Sequence, residues 1–152
     1  MTLRKLGIEI QLGDFPKRID LSNDDLLPGR RYYIGSDDEG RICLYNSREN
    51  IKDIFFEDTP KGYRNPFQEK HLEFKVCGDG IEVSDISTGN EGTVIYREDD
   101  DPQQNDRPIG RDGMFLKARE DGAAYSLRIL NPEEILEKIS PRNETHVLFW
   151  LR

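Results

Sequence analysis

Short runs that alternate apolar and polar residues recur along most of this chain. "LGIEIQLG" (6–13), "GRRYYIG" (29–35), "RICLYN" (41–46), "KHLEFKV" (70–76), "GIEVSDI" (80–86), "GTVIYR" (92–97), "MFLKAR" (114–119) and "AYSLRIL" (124–130) all read as strands. In "KHLEFKV" the alternation puts Leu72, Phe74 and Val76 on one face, the period of two that a half-buried strand requires. Turn signals such as "LPG", "CGDG" and "EDGA" separate the runs. Many short strands punctuated by Gly, Asp and Asn predict an all-β sandwich or barrel.

Two stretches break the rhythm. Residues 47–69 form a long connection that has room for a short element at "IKDIFF", and connections of this length tend to be functional. Residues 97–113, "REDDDPQQNDRPIGRDG", read as a solvent-exposed polar arm. A short helix is predicted near the end. Asn131 can cap it, Pro132 suits its first position, Glu133 and Glu134 suit its positive pole, and Pro141 stops it. Ile135, Leu136 and Ile139 would share its apolar face. The tail "HVLFWLR" is too apolar to lie in water, so it is expected to join the sandwich as a further strand. The reading is one domain over 1–152, with a C-terminal helix and tail at about 131–152.

Composition narrows the function classes. No apolar run approaches the ~20 residues that span a bilayer, so no membrane partner is expected. "MTLRKLGIEI" lacks the uninterrupted apolar core of a secretory signal, so a cytoplasmic location is expected. Cys43 and Cys77 are too far apart for a CxxC unit and read as buried free thiols. A net charge of −8 argues against a nucleic-acid partner, because duplex binding rests on clustered Lys and Arg facing phosphates. The two histidines, His71 and His146, form no HExxH motif, and no glycine-rich phosphate loop follows a strand. The expectation is a protein without catalytic residues, metal site or cofactor. A competing class is a metal-binding protein or hydrolase using the acidic arm 98–106, although "DDD" (99–101) lacks the interleaved ligands of a calcium loop.

"YYIGS" (32–36), "KHLEF" (70–74) and "DISTGNEGTVI" (85–95) occur in an order that resembles the forkhead-associated (FHA) domain. That family is a SMAD/FHA-type antiparallel β-sandwich that binds phosphothreonine peptides. Its pattern is a strand ending Ile-Gly-Arg, then Ser-x-x-His, then Asp-x-Ser-Ser-Thr-Asn-Gly-Thr. Gly35 matches the glycine, and Ser36 stands where the phosphate-contacting arginine is expected. His71 matches a scaffold histidine that braces loops. Gln68 replaces a phosphate-contacting serine, and Glu69 falls where a basic residue is common. Asp85, Ser87 and Asn90 match, with Asn90 in the place of the asparagine that holds the peptide backbone. Thr88 and Gly89 replace a Ser-Thr pair, and Glu91 is inserted before Gly92 and Thr93. Read without the family, Asn90 and Gly92 could simply form a hairpin turn.

The resemblance implies an FHA-like sandwich whose loops 35–41, 62–70 and 86–92 bind a segment of a partner protein. The peptide-binding set would be Ser36, Arg41, Gln68, Lys70, Thr88, Gly89 and Asn90, with Gly35, His71, Asp85 and Thr93 supporting the loops. Threonine phosphorylation of the partner is what the family implies. The missing arginine and serine remove the direct phosphate contacts, since serine supplies neither the charge nor the bidentate fork. Arg41, Lys70, Lys61 and Arg64 are the cations available to compensate. The rival expectation is a phosphate-independent adaptor that binds an unmodified partner, through "IKDIFF" or "HVLFWLR".

Overall fold

The computed structural model describes residues 2–63, 65–88, 93–96, 107–129 and 145–152. Among them, twelve strands pair entirely antiparallel in two six-stranded sheets. In chain order they are β1 Lys5–Leu12, β2 Phe15–Ser22, β3 Arg31–Ser36, β4 Ile42–Asn46, β5 Ile51–Phe56, β6 Leu72–Cys77, β7 Gly80–Asp85, β8 Thr93–Tyr96, β9 Arg107–Pro108, β10 Met114–Lys117, β11 Tyr125–Ile129 and β12 Thr145–Leu151. One sheet runs β2-β1-β12-β11-β8-β9, and the other runs β10-β7-β6-β3-β4-β5.

Alternation builds the core. In β1, Leu6, Ile8, Ile10 and Leu12 are buried; in β12, Thr145, Val147, Phe149 and Leu151 are. The second sheet contributes Ile34, Leu44, Leu72, Phe74, Val76, Ile81 and Val83. The sheets meet at Phe74 and Phe149, whose rings lie edge to face 5.6 Å apart, and Tyr32 stacks on Phe74 at 5.3 Å. Such aromatic pairs add to the free energy of burial itself.

"HVLFWLR" does join the sandwich as a further strand, and β12 is an inner one between β1 and β11, with Ile8 paired to Phe149 and Tyr125 paired to the same residue from the other side. Val147, Phe149 and Leu151 of this strand are core, whereas Leu148 and Trp150 on its other face are only partly buried. Several expectations change. "IKDIFF" is the edge strand β5, with Phe55 and Phe56 buried. Residues 15–22, which show no strand signal, form β2. Pro16 is tolerated there because β2 is an edge strand. The later part of the polar arm is not all solvent-exposed, since it includes β9 and the buried Ile109. Cys43 is buried, but Cys77 is only partly so, and both are free thiols. The predicted helix at 131–140 and the acidic residues 98–106 lie outside the described residues. Among the described residues there is no helix long and apolar enough to cross a membrane, and no cluster of metal-ligating side chains.

Candidate functional site

Sheet register decides which loops share an end. β3 pairs with β6 so that Ile34 faces Leu72, and β6 pairs with β7 so that Leu72 faces Asp85. The end of β3, the start of β6 and the end of β7 therefore lie side by side. The connections 37–41, 65–71 and 86–88 emerge there together, and they carry most of the residues singled out in the sequence.

Backbone contacts at this end are close. The Ser36 N–H donates to the Gln68 carbonyl (2.8 Å), the His71 N–H to the Ile34 carbonyl (3.0 Å) and the Ile86 N–H to the His71 carbonyl (2.9 Å). Gly35 makes this approach possible, since a Cβ there would lie 2.1 Å from the Glu69 carbonyl oxygen. His71 is buried, its Nδ1 accepts the Gln68 N–H (3.3 Å), and its ring meets the edge of Phe67 at 5.7 Å. Burial pushes its pKa below the ordinary 6.5, against the opposing charge of Asp85. Asp85, also buried, organises the next loop: one carboxylate oxygen accepts from both the N–H (2.9 Å) and the hydroxyl (2.6 Å) of Ser87.

The polar side chains of the loops are largely engaged with one another. The Ser36 hydroxyl donates to the Phe67 carbonyl (3.0 Å) and accepts from the Asn65 amide. Gln68 staples two loops: its amide oxygen accepts from the Thr88 N–H (2.8 Å) and hydroxyl (3.2 Å), and its NH₂ donates to the Thr88 carbonyl. Arg41 Nε lies 2.6 Å from Asp37, within 3.5 Å of Glu39, and its guanidinium reaches Glu57 at 4.0 Å. The hydrogen bond to Asp37 holds the Arg41 pKa above its ordinary value. Desolvation pulls the Asp37 carboxyl up, but the Arg41 backbone and side-chain donors together hold it below its ordinary value. Lys70 is ion-paired with Glu49 and lies 5.6 Å from the Tyr33 ring centroid; the hydrogen bond to Glu49 raises its pKa.

The cleft between the β3–β4 turn and the start of β6 has a volume of about 190 Å³. Its walls are Asp37, Asp38, Tyr45, Glu49, Glu69 and Lys70. Four carboxylates and a phenol surround one ammonium whose charge is already matched. No family model, curated protein or solved structure matches this chain.

The structure thus brings together Gly35, Ser36, Arg41, Gln68, Lys70, His71, Asp85 and Thr88. Gly89, Asn90 and Arg64 lie outside the described residues, and Thr93 opens β8 opposite Ile129. Asn65 went unnoticed in the sequence. Its side chain donates to Ser36 and to the Gly40 carbonyl (3.1 Å) and accepts from the Phe67 N–H (2.9 Å), clamping the β3–β4 turn to the segment before β6. The dipeptide Asn65-Pro66 is a turn signal that could have marked it. Asp37 and Glu49, which neutralise the two nearest cations, also went unnoticed.

The low His71 pKa has a consequence for folding. The unfolded chain takes up this proton near pH 6.5, whereas the folded chain resists it until lower pH, so acid favours unfolding. Stability is expected to be fully present above about 6.5 and to decline as pH falls from there toward the folded value. Asp37 and Asp121, whose pKa values lie below the ordinary 3.8, act only in more acidic solution. Urea titrations between neutral pH and about pH 5 should show the decline, and His71→Gln should flatten it. A wild-type midpoint that does not move over that range would remove His71 as a buried neutral base.

Proposed function

We propose that this protein is a protein-interaction module, an FHA-like sandwich whose loops 35–41, 62–70 and 86–92 receive a segment of a partner protein without a phosphate as the main anchor. It acts by binding and performs no catalysis. The observation that carries this reading is the ion pairing of Arg41 with Asp37 and Lys70 with Glu49. These are the described cations best placed to stand in for the arginine missing at Ser36. A phosphate entering here would have to break such pairs and lie beside Glu69, and like charges at close range cost free energy. The cleft's carboxylates instead suit a partner segment that carries Lys or Arg. In the described parts of these loops, His71, Asp85 and the Gln68–Thr88 staple tie neighbouring segments together, the bracing that segment recognition needs.

Phosphothreonine recognition is the second reading. It is supported by the resemblance of the loop motifs and by the placement of Ser36, Gln68 and Thr88 on one rim. Calorimetry with a degenerate peptide library, phosphorylated and unphosphorylated at a central threonine, separates the two. The expected result is binding in which phosphate brings no gain and Lys- or Arg-containing members dominate. Phosphorylated members binding about tenfold tighter or more, a difference of about 1.4 kcal/mol, would move the assignment to the phospho-reader.

A further inference from the structure

We infer that the end of the sandwich opposite the recognition loops carries a second binding surface, a cationic groove built on Trp150 that takes an acidic segment of a partner protein. Its position follows from the strand ends. The Leu3 N–H donates to the Gly78 carbonyl and the Ala118 N–H to the Asp79 carbonyl, both in the β6–β7 turn and so a full strand length away from Leu72 and Asp85. There a groove of about 500 Å³, lined by Lys5, Gly7, Arg18, Trp150 and Arg152 among others, adjoins another of about 850 Å³ that includes Arg4 and Arg119. Both share Gly122 and Arg152.

A missing side chain makes the floor. Gly7 lies between Trp150 on β12 and Asp20 on β2, and a Cβ there would fall 2.4 Å from the Arg18 guanidinium. Glycine thus lets the guanidinium lie against the indole, 4.5 Å from its centroid, a cation–π contact that fixes an arginine beside a half-buried aromatic plane. Asp20 holds Arg18 at 2.9 Å, and Asp121 holds Arg119 at 2.7 Å. Arg4, Lys5 and Arg152 make no ion pair with a described residue.

Charge complementarity selects the occupant. The chain carries a net −8, yet five cationic side chains against three acidic ones line this pair of grooves, whereas the loop end is walled by carboxylates. Two grooves of this size that share Gly122 and Arg152 offer more room than a single anion needs and suit a peptide. The overall negative charge repels a nucleic acid at long range while leaving a short acidic segment able to approach this one face.

Trp150 is the only tryptophan of the chain, so its emission reports on this groove alone. A short peptide of alternating Glu and Gly should bind with a saturable, salt-sensitive change in Trp150 emission, matched by anisotropy of the labelled peptide. Exchanging the exposed pair, Arg4→Glu with Lys5→Glu, should weaken binding about tenfold or more without changing the melting temperature. Glu69→Lys, at the loop end, should leave it unchanged, so that this site and the loop site stand or fall separately. The inference is overturned by no saturable response, by binding that survives the exchange, or by a single-stranded oligonucleotide binding where the Glu peptide does not.

Discussion

Replacing Gly35 with alanine is expected to destabilise the protein by about 3 kcal/mol and to disorganise the loop end proposed to bind a partner. The new Cβ would lie 2.1 Å from the Glu69 carbonyl oxygen, 2.6 Å from its carbonyl carbon and 2.7 Å from the Gln68 carbonyl oxygen. All three atoms are backbone, so no side chain can rotate away. The segment before β6 would have to move, and the Ser36–Gln68 and His71–Ile34 backbone hydrogen bonds move with it. In a chain of this size such a loss would lower the melting temperature by roughly 6–12 °C. Gly40 offers a contrast a few residues away. Nothing lies within 4 Å of a Cβ there, and its cost arises only from φ +79°, so Gly40→Ala should cost about 1 kcal/mol. Urea denaturation of both variants tests this, with peptide calorimetry of Gly35→Ala as a second readout. A cost at Gly35 no larger than at Gly40 would mean that residues 68–69 yield easily and that this end of the sandwich is not braced.

The same contrast explains what could be read from the chain in advance. Gly35, His71 and Asp85 were singled out through a motif resemblance, and all three lie at the crossing of adjacent loops. The strands were legible wherever burial imposes a period of two. β2 was not, because an edge strand buries only Ile19 and Leu21 and leaves Pro16, Lys17, Arg18 and Asp20 in solvent. For the site, the hidden part is electrostatic. Glu49 meets Lys70 across 21 residues, and Thr88 meets Gln68 across 20. Only folding makes these residues neighbours, so a local motif cannot tell an available donor from one already matched. Lys70 and Gln68 look like ligand donors in the sequence and act as loop ties in the structure.

Phe149→Ala is expected to have the larger effect on stability, about 3–5 kcal/mol, the range for deleting a buried aromatic side chain. Phe149 is fully buried and lies on a strand hydrogen-bonded on both sides, so its loss weakens the junctions with β1 and with β11. It also removes the ring that meets Phe74 at 5.6 Å, an aromatic contact between the two sheets. Neighbours can collapse only partly into the space, because Ile8 and Tyr125 are fixed opposite it by strand register. Against a typical total of 5–15 kcal/mol this is a large share of the folding free energy. Leu148, the next residue on β12, points to the opposite face and is only half buried, so Leu148→Ala should cost about 1 kcal/mol. Denaturant midpoints for the pair decide the matter. A Phe149 penalty near that of Leu148 would show that β12 contributes little to the core. The sandwich would then have to be held chiefly by its other strands, and the platform that both proposed binding ends require would lose its central support.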